Sequence, residues 1–126
     1  MLKYRINRRT YWLCCAVFVV IAVVLAYVGK LNGGMEMMMV IIGVPRLHDI
    51  GRSGWLVGGA ILVEIIVIVA VAIVASIDTL EIVGGLIAVT VAGLAIWLGM
   101  IPGQIDANRW GEPVGPGIQF SRRTRR

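Results

Sequence analysis

The chain has 126 residues, 59% hydrophobic and only 15% charged, with a mean hydropathy of +0.89. Soluble domains run at roughly 45–50% apolar and about 25% charged, so this composition excludes a disordered tail and an ordinary soluble enzyme, and the length allows one domain. Twelve Lys+Arg against seven Asp+Glu leave a formal +5, which in an integral membrane protein reports orientation before it reports a nucleic-acid partner.

Residues 10–29 form the first uncharged stretch, ending at Lys30. A bilayer core about 30 Å thick needs about 20 apolar residues in a helix, and this stretch supplies them alone. Tyr11 and Trp12 at one end and Tyr27 at the other suit the two headgroup interfaces. A secretory signal peptide is the competing reading of basic residues followed by an apolar run. The run outlasts an ordinary h-region, however, and no small-x-small cleavage site follows. Cys14 and Cys15, adjacent within the span, read as small apolar packing residues.

Residues 33–50 are harder to place. Their uncharged core, residues 37–45, gives about 14 Å of helix, whereas helix over 33–50 reaches about 27 Å. That length crosses if Glu36 and Arg46 sit at opposite interfaces. Residues 54–77 form the next span, interrupted only by Glu64, and residues 82–102 form the last. The short link between them, with Asp78 and Glu81, requires an antiparallel hairpin. The expected fold is therefore all-α: a four-helix integral membrane bundle over residues 1–115, its second span short, followed by a basic tail over 116–126.

Charge placement favours four crossings. With four, Lys3, Arg5, Arg8, Arg9, Arg46, Arg52, Arg109, Arg122, Arg123, Arg125 and Arg126 share one side, and only Lys30 lies on the other. The positive-inside rule puts that side, with both termini, in the cytoplasm. Gly84, Ala88 and Ala92 form a small-residue stripe at four-residue spacing, and Gly59, Ala60, Ala72 and Ala75 supply small residues to the preceding span. Such residues allow close helix approach, either within one chain or in a homo-oligomer.

Polar residues cluster at the cytoplasmic ends of the spans in three groups. The first is Arg5-Ile6-Asn7-Arg8-Arg9-Thr10-Tyr11-Trp12. The second is Arg46-Leu47-His48-Asp49-Ile50-Gly51-Arg52-Ser53-Gly54-Trp55. The third is Pro102-Gly103-Gln104-Ile105-Asp106-Ala107-Asn108-Arg109-Trp110-Gly111-Glu112-Pro113. Together they resemble the bacterial membrane-protein family called domain of unknown function 805, over roughly residues 5–115. Two features depart from that pattern: Val44-Pro45 precede a single Arg46, and the last motif ends Gly-Glu-Pro-Val. The resemblance implies a bacterial inner-membrane location and four helices. It brings no activity, because the family is named for lacking one.

Read physically, the central group is a helix stop followed by a helix start. Gly51 suits the left-handed conformation that closes a helix, Ser53 an N-cap, and Trp55 the headgroup belt. Asp49 lies three residues from both Arg46 and Arg52 and can pair with either. Three readings stay open. The group staples a tight interfacial turn; or Arg46, Arg52 and Arg109 converge on an anion, with His48, Asp49 and Asn108 completing the site; or His48 and Asp49 act on a phosphorylated lipid. Arginine forks suit phosphate, and basic pockets at cytoplasmic helix ends bind lipid headgroups. A His–Asp pair can serve as general base, but no nucleophile stands near except Ser53. His48 is the single histidine, with no zinc-ligand spacing around it, so neither metal nor cofactor is implied.

Glu64 stands near mid-span, where an acidic residue costs on the order of 2.5–3.5 kcal/mol. It reads either as a proton- or cation-handling group or as a neutral acid bonded to Thr90 or a backbone carbonyl. Beyond the last span, residues 111–117 cannot continue a helix and lead to Arg122, Arg123, Arg125 and Arg126. Each basic residue near an anionic leaflet contributes about 1 kcal/mol. Nucleic acid is the weaker partner, since only Phe120 is interleaved with these arginines. The expected function is a non-enzymatic binding or interaction protein with an anionic-ligand or headgroup site on its cytoplasmic face. The alternatives are a small oligomeric channel or transporter using Glu64, and a membrane-embedded enzyme acting on a phosphorylated lipid.

Overall fold

Asn7 opens the first helix. Its side chain accepts the Thr10 N–H at 2.8 Å, satisfying one of the donors a helix start leaves orphaned, and α1 runs Arg8–Tyr27. In the computed structural model, which describes residues 4–28 and 35–118, this helix is followed by α2 (Met35–Met38), a π-helical turn (Met39–Gly43), α3 (Val44–Asp49), α4 (Trp55–Val74) and α5 (Ile77–Met100). All named elements among the described residues are helical. Lys3, Lys30, Gly33, Gly34, the Glu36 side chain and the four tail arginines lie outside the described residues.

The stretch expected as one short span is a broken rod. Pro45 has no N–H to give the carbonyl four residues back, and its ring crowds that carbonyl. The chain meets this with the wider π turn immediately upstream, a common form of helix break. The last turn of α3, from Arg46 to Asp49, belongs to a polar cap beyond the apolar part of the rod.

Helix α5 starts earlier than its uncharged run. Ser76 accepts the Thr79 N–H at 3.4 Å as N-cap, and Asp78 occupies the first turn, where a negative charge complements the helix dipole. Asp78 and Glu81, expected in the link, are thus helical, and the hairpin turn shrinks to Ala75 and Ser76. A second difference concerns Ser53. Gly54 holds the N-cap position of α4, and the Ser53 hydroxyl instead accepts the Trp55 N–H at 3.4 Å. Gly51 does take the left-handed conformation, at φ +78°.

Helices α1, α4 and α5 are each long and apolar enough to cross a membrane. No more than 17% of the apolar window of any of them is buried within the chain. Apolar surface on that scale is untenable in water, so lipid is the fitting solvent. The buried cluster, formed by Ile6, Tyr11, Leu47, Val57 and Leu98, sits at one end of the molecule. There the start of α1, the end of α3, the start of α4 and the end of α5 meet, so α1 leads away from this end and α3 returns to it.

Close approach of α1 to α5 depends on Gly99, where a Cβ would lie 2.6 Å from the Trp12 ring and 2.9 Å from that of Tyr11. Gly84, in the small-residue stripe, makes no such contact. A Cβ at Gly84 or Gly93 meets nothing within 4 Å, and Gly84 and Ala92 are exposed. Gly99→Ala is therefore expected to cost about 1–3 kcal/mol by overpacking. Gly93→Ala should be neutral or slightly stabilising through helix propensity. Equilibrium denaturation of both variants in detergent micelles checks the contrast.

Candidate functional site

Three chain segments come together around one carboxylate. Arg46 lies one helical turn before Asp49, so the two side chains share a face of α3. One Arg46 terminal nitrogen donates to Asp49 Oδ2 at 2.5 Å. From the N-terminal segment, Arg5 donates Nε to Asp49 Oδ1 at 3.2 Å, with a terminal nitrogen 3.1 Å from the same oxygen. Arg46 is 0% exposed, and Asp49 and Arg5 are buried with it.

The remaining donors of both guanidiniums go to backbone carbonyls of the C-terminal third. Arg46 donates to Leu98 and Ile101 carbonyls at the end of α5. A helix C-terminus leaves such carbonyls without intrahelical donors, and a cation there complements the dipole. Arg5 donates to the carbonyls of Gln104 (2.7 Å), Gly111 (2.9 Å) and Asp106 (3.1 Å). The Gln104 N–H then donates to the Asp49 carbonyl at 2.8 Å. A Cβ at Gly103 would overlap Asp49 Oδ2, which explains a glycine directly after Pro102. Burial pushes the Asp49 carboxyl up from its ordinary range, while Arg46 and Arg5 pull it back toward the ionised form.

His48 builds a second layer of the cap. Its Nδ1 lies 3.1 Å from the Tyr4 carbonyl, which can only accept, so Nδ1 carries the proton and donates. The ring stacks on Trp110 with centroids 4.7 Å apart and planes 12° from parallel, and the Arg109 guanidinium lies 3.9 Å from the same Trp110 centroid. Burial lowers the His48 pKa, the Tyr4 carbonyl opposes this, and the nearby Arg109 charge adds to the lowering. Asn108 aims Trp110 at His48. It accepts the Trp110 N–H at 2.9 Å, donates to the His48 carbonyl at 2.9 Å, and exchanges backbone hydrogen bonds with Gly111. Asn7 donates to the Gly115 and Gly117 carbonyls, tying the segment after Trp110 to the start of α1.

Of the expected site residues, Arg46, His48, Asp49, Asn108 and Arg109 meet in this cap. Arg46 is spent inside the staple, and Arg52 and Arg109 are exposed. Asp49 pairs with Arg46 and with Arg5, and Arg52 is not its partner. Arg5 was read as a topology-setting charge and as the first residue of the first polar motif, and nothing in the sequence marked it as a partner of Asp49.

Glu64 lies far from the cap, half-buried, on a groove of about 780 Å³ between α4 and α5. Thr90 lines the same groove and donates its hydroxyl to the Leu86 carbonyl at 2.8 Å. The chain matches no family model, no curated protein and no solved structure.

Asp49→Asn leaves two buried guanidiniums without their counter-charge and is expected to cost about 3–5 kcal/mol. Gly103→Ala should also weaken the fold with every charge retained, because its Cβ displaces the Asp49 carboxylate. Denaturation in micelles reads both. His48 supplies a pH dependence. Its folded pKa lies below its unfolded value of about 6.5, so the neutral ring's contribution is complete above that pH. It is lost as pH falls below about 6.5, because the unfolded chain then binds a proton that the folded chain refuses. The melting temperature should fall between pH 7.5 and 5.5, and His48→Asn, which keeps a donor for Tyr4, should flatten that slope.

Proposed function

We propose that this chain is a four-span protein of the bacterial inner membrane, with both termini cytoplasmic, whose capped end binds anionic phospholipid headgroups without chemistry of its own. The observation that carries the reading is the division of the arginines. Arg5 and Arg46 are buried in the staple, while Arg8, Arg9, Arg52 and Arg109 stay exposed around the same end. Trp12 and Trp55 are exposed beside them, as residues of a headgroup belt are. All six arginines among the described residues lie at this end, and the first turns of α5 at the other carry Asp78 and Glu81. That asymmetry follows the positive-inside rule. The broken rod supports a fourth crossing, since it brings the chain back to the end from which α1 departs.

The staple makes Arg46 and Asp49 positioning residues, leaving Arg52 and Arg109, with Arg8 and Arg9, to meet phosphate. Asp49 is held by two arginines and His48 Nδ1 donates to the Tyr4 carbonyl, so His48 and Asp49 do not form the pair on which the enzymatic alternative was built.

Each surface arginine contributes about 1 kcal/mol toward an anionic leaflet. The Arg52→Gln/Arg109→Gln double variant should therefore bind phosphatidylglycerol about thirty-fold more weakly than the native chain. Native mass spectrometry of the full chain with phosphatidylglycerol and phosphatidylcholine measures this. Equal retention of both lipids by the native chain would refute the site. Topology is read by labelling single cysteines at each terminus in a Cys14→Ala/Cys15→Ala background. Both should be protected in intact cells, and a terminus labelled from outside overturns the arrangement.

A further inference from the structure

The groove between α4 and α5 takes no part in the staple. Its volume of about 780 Å³ falls within the roughly 300–1,000 Å³ of small-molecule sites, which are apolar with a few placed polar groups. Its walls are mainly aliphatic, and among the described residues lining it Glu64 is the single charged side chain. Glu64 stands midway along α4, while Trp55, at the capped start of the same helix, is 75% exposed at the mouth. Gly59 lines the groove beside open space, since a Cβ there meets nothing within 4 Å.

We propose that this groove binds lipophilic organic cations, the Glu64 carboxylate pairing with the cationic centre and the aliphatic walls enclosing its apolar body. Charge complementarity selects the occupant. An anion would face a carboxylate with no basic side chain in the lining. A small inorganic cation needs several oxygen ligands, and among the described lining residues Glu64 and Thr90 are the two with side-chain oxygens, the Thr90 hydroxyl donating to the Leu86 carbonyl. A cation of dispersed charge loses little hydration on entry and uses both the carboxylate and the apolar walls. The Trp55 indole adds a π face at the mouth, where a cation is attracted. A second copy of the chain is a poor match. Every arginine among its described residues lies at the capped end, so none of its helices carries a cation to the depth of Glu64.

The test uses the full chain in phosphatidylcholine nanodiscs, with tetraphenylphosphonium and the neutral analogue triphenylmethane as probes in equilibrium dialysis. The cation should bind saturably at one site per chain, and the neutral analogue at least tenfold more weakly. Glu64→Gln should reduce cation affinity at least tenfold. Gly59→Leu, which fills the groove and keeps the carboxyl, should do the same, with folding of both variants checked by circular dichroism. Equal binding of the two probes, or unchanged cation affinity in Glu64→Gln, overturns the proposal in favour of a groove for acyl chains. A dimer mass that Gly59→Leu dissociates, with no cation binding by the native chain, overturns it in favour of a second copy.

Discussion

Everything at the capped end depends on one carboxylate held between two buried guanidiniums. Asp49 receives Arg46 from its own helix and Arg5 from the start of the chain. Replacing such a triad by apolar residues can be neutral or stabilising, whereas removing one member is severe. Its importance therefore lies in specificity. Helices in lipid gain little by burying apolar faces, because the surrounding tails are equally apolar. Sparse burial along α1, α4 and α5 leaves the polar cap to decide which helix ends meet and in what register.

The two arginines serve this role through their geometry. A guanidinium spreads five N–H donors in a fixed fork, so each can hold a carboxylate and several carbonyls together. Arg46 closes the end of α5, and Arg5 gathers the turns that follow it. A lysine has too few donors, wrongly arranged, for either task. The second layer stacks His48 on Trp110, with the Arg109 guanidinium against the same indole ring. Ionisable side chains in this protein thus occur in three settings: paired and buried in the cap, exposed around its rim, and midway along α4 at Glu64.

Hydropathy made the long helices legible, because a span needs about twenty apolar residues and that need is written in consecutive positions. Gly51 was legible for a similarly local reason, its left-handed backbone. The errors were also local in cause. Asp78 and Glu81 were assigned to a link by their charge, yet an acidic first turn behind a serine cap extends α5 over them. Ser53 looked like a cap by residue type, but the helix begins one residue later. The cap itself was legible as three motifs and not as a set of contacts. Arg5 meets Asp49 across 44 positions and Gln104 across 99, and no periodicity or spacing records a pairing over such distances.

Those separations impose an order on assembly. A membrane protein is inserted from its N-terminus as it is synthesised, so Arg5 and Asp49 reach the interface long before residues 104–111 exist. Until α5 has crossed and its exit segment has emerged, the first arginine holds a carboxylate but lacks most of its carbonyl partners. The finished cap consequently requires that α5 and the segment after it have been made. A chain cut short before Gln104 keeps its apolar helices and exposes the unsatisfied charges, the kind of surface on which cellular quality control distinguishes unfinished membrane proteins from finished ones.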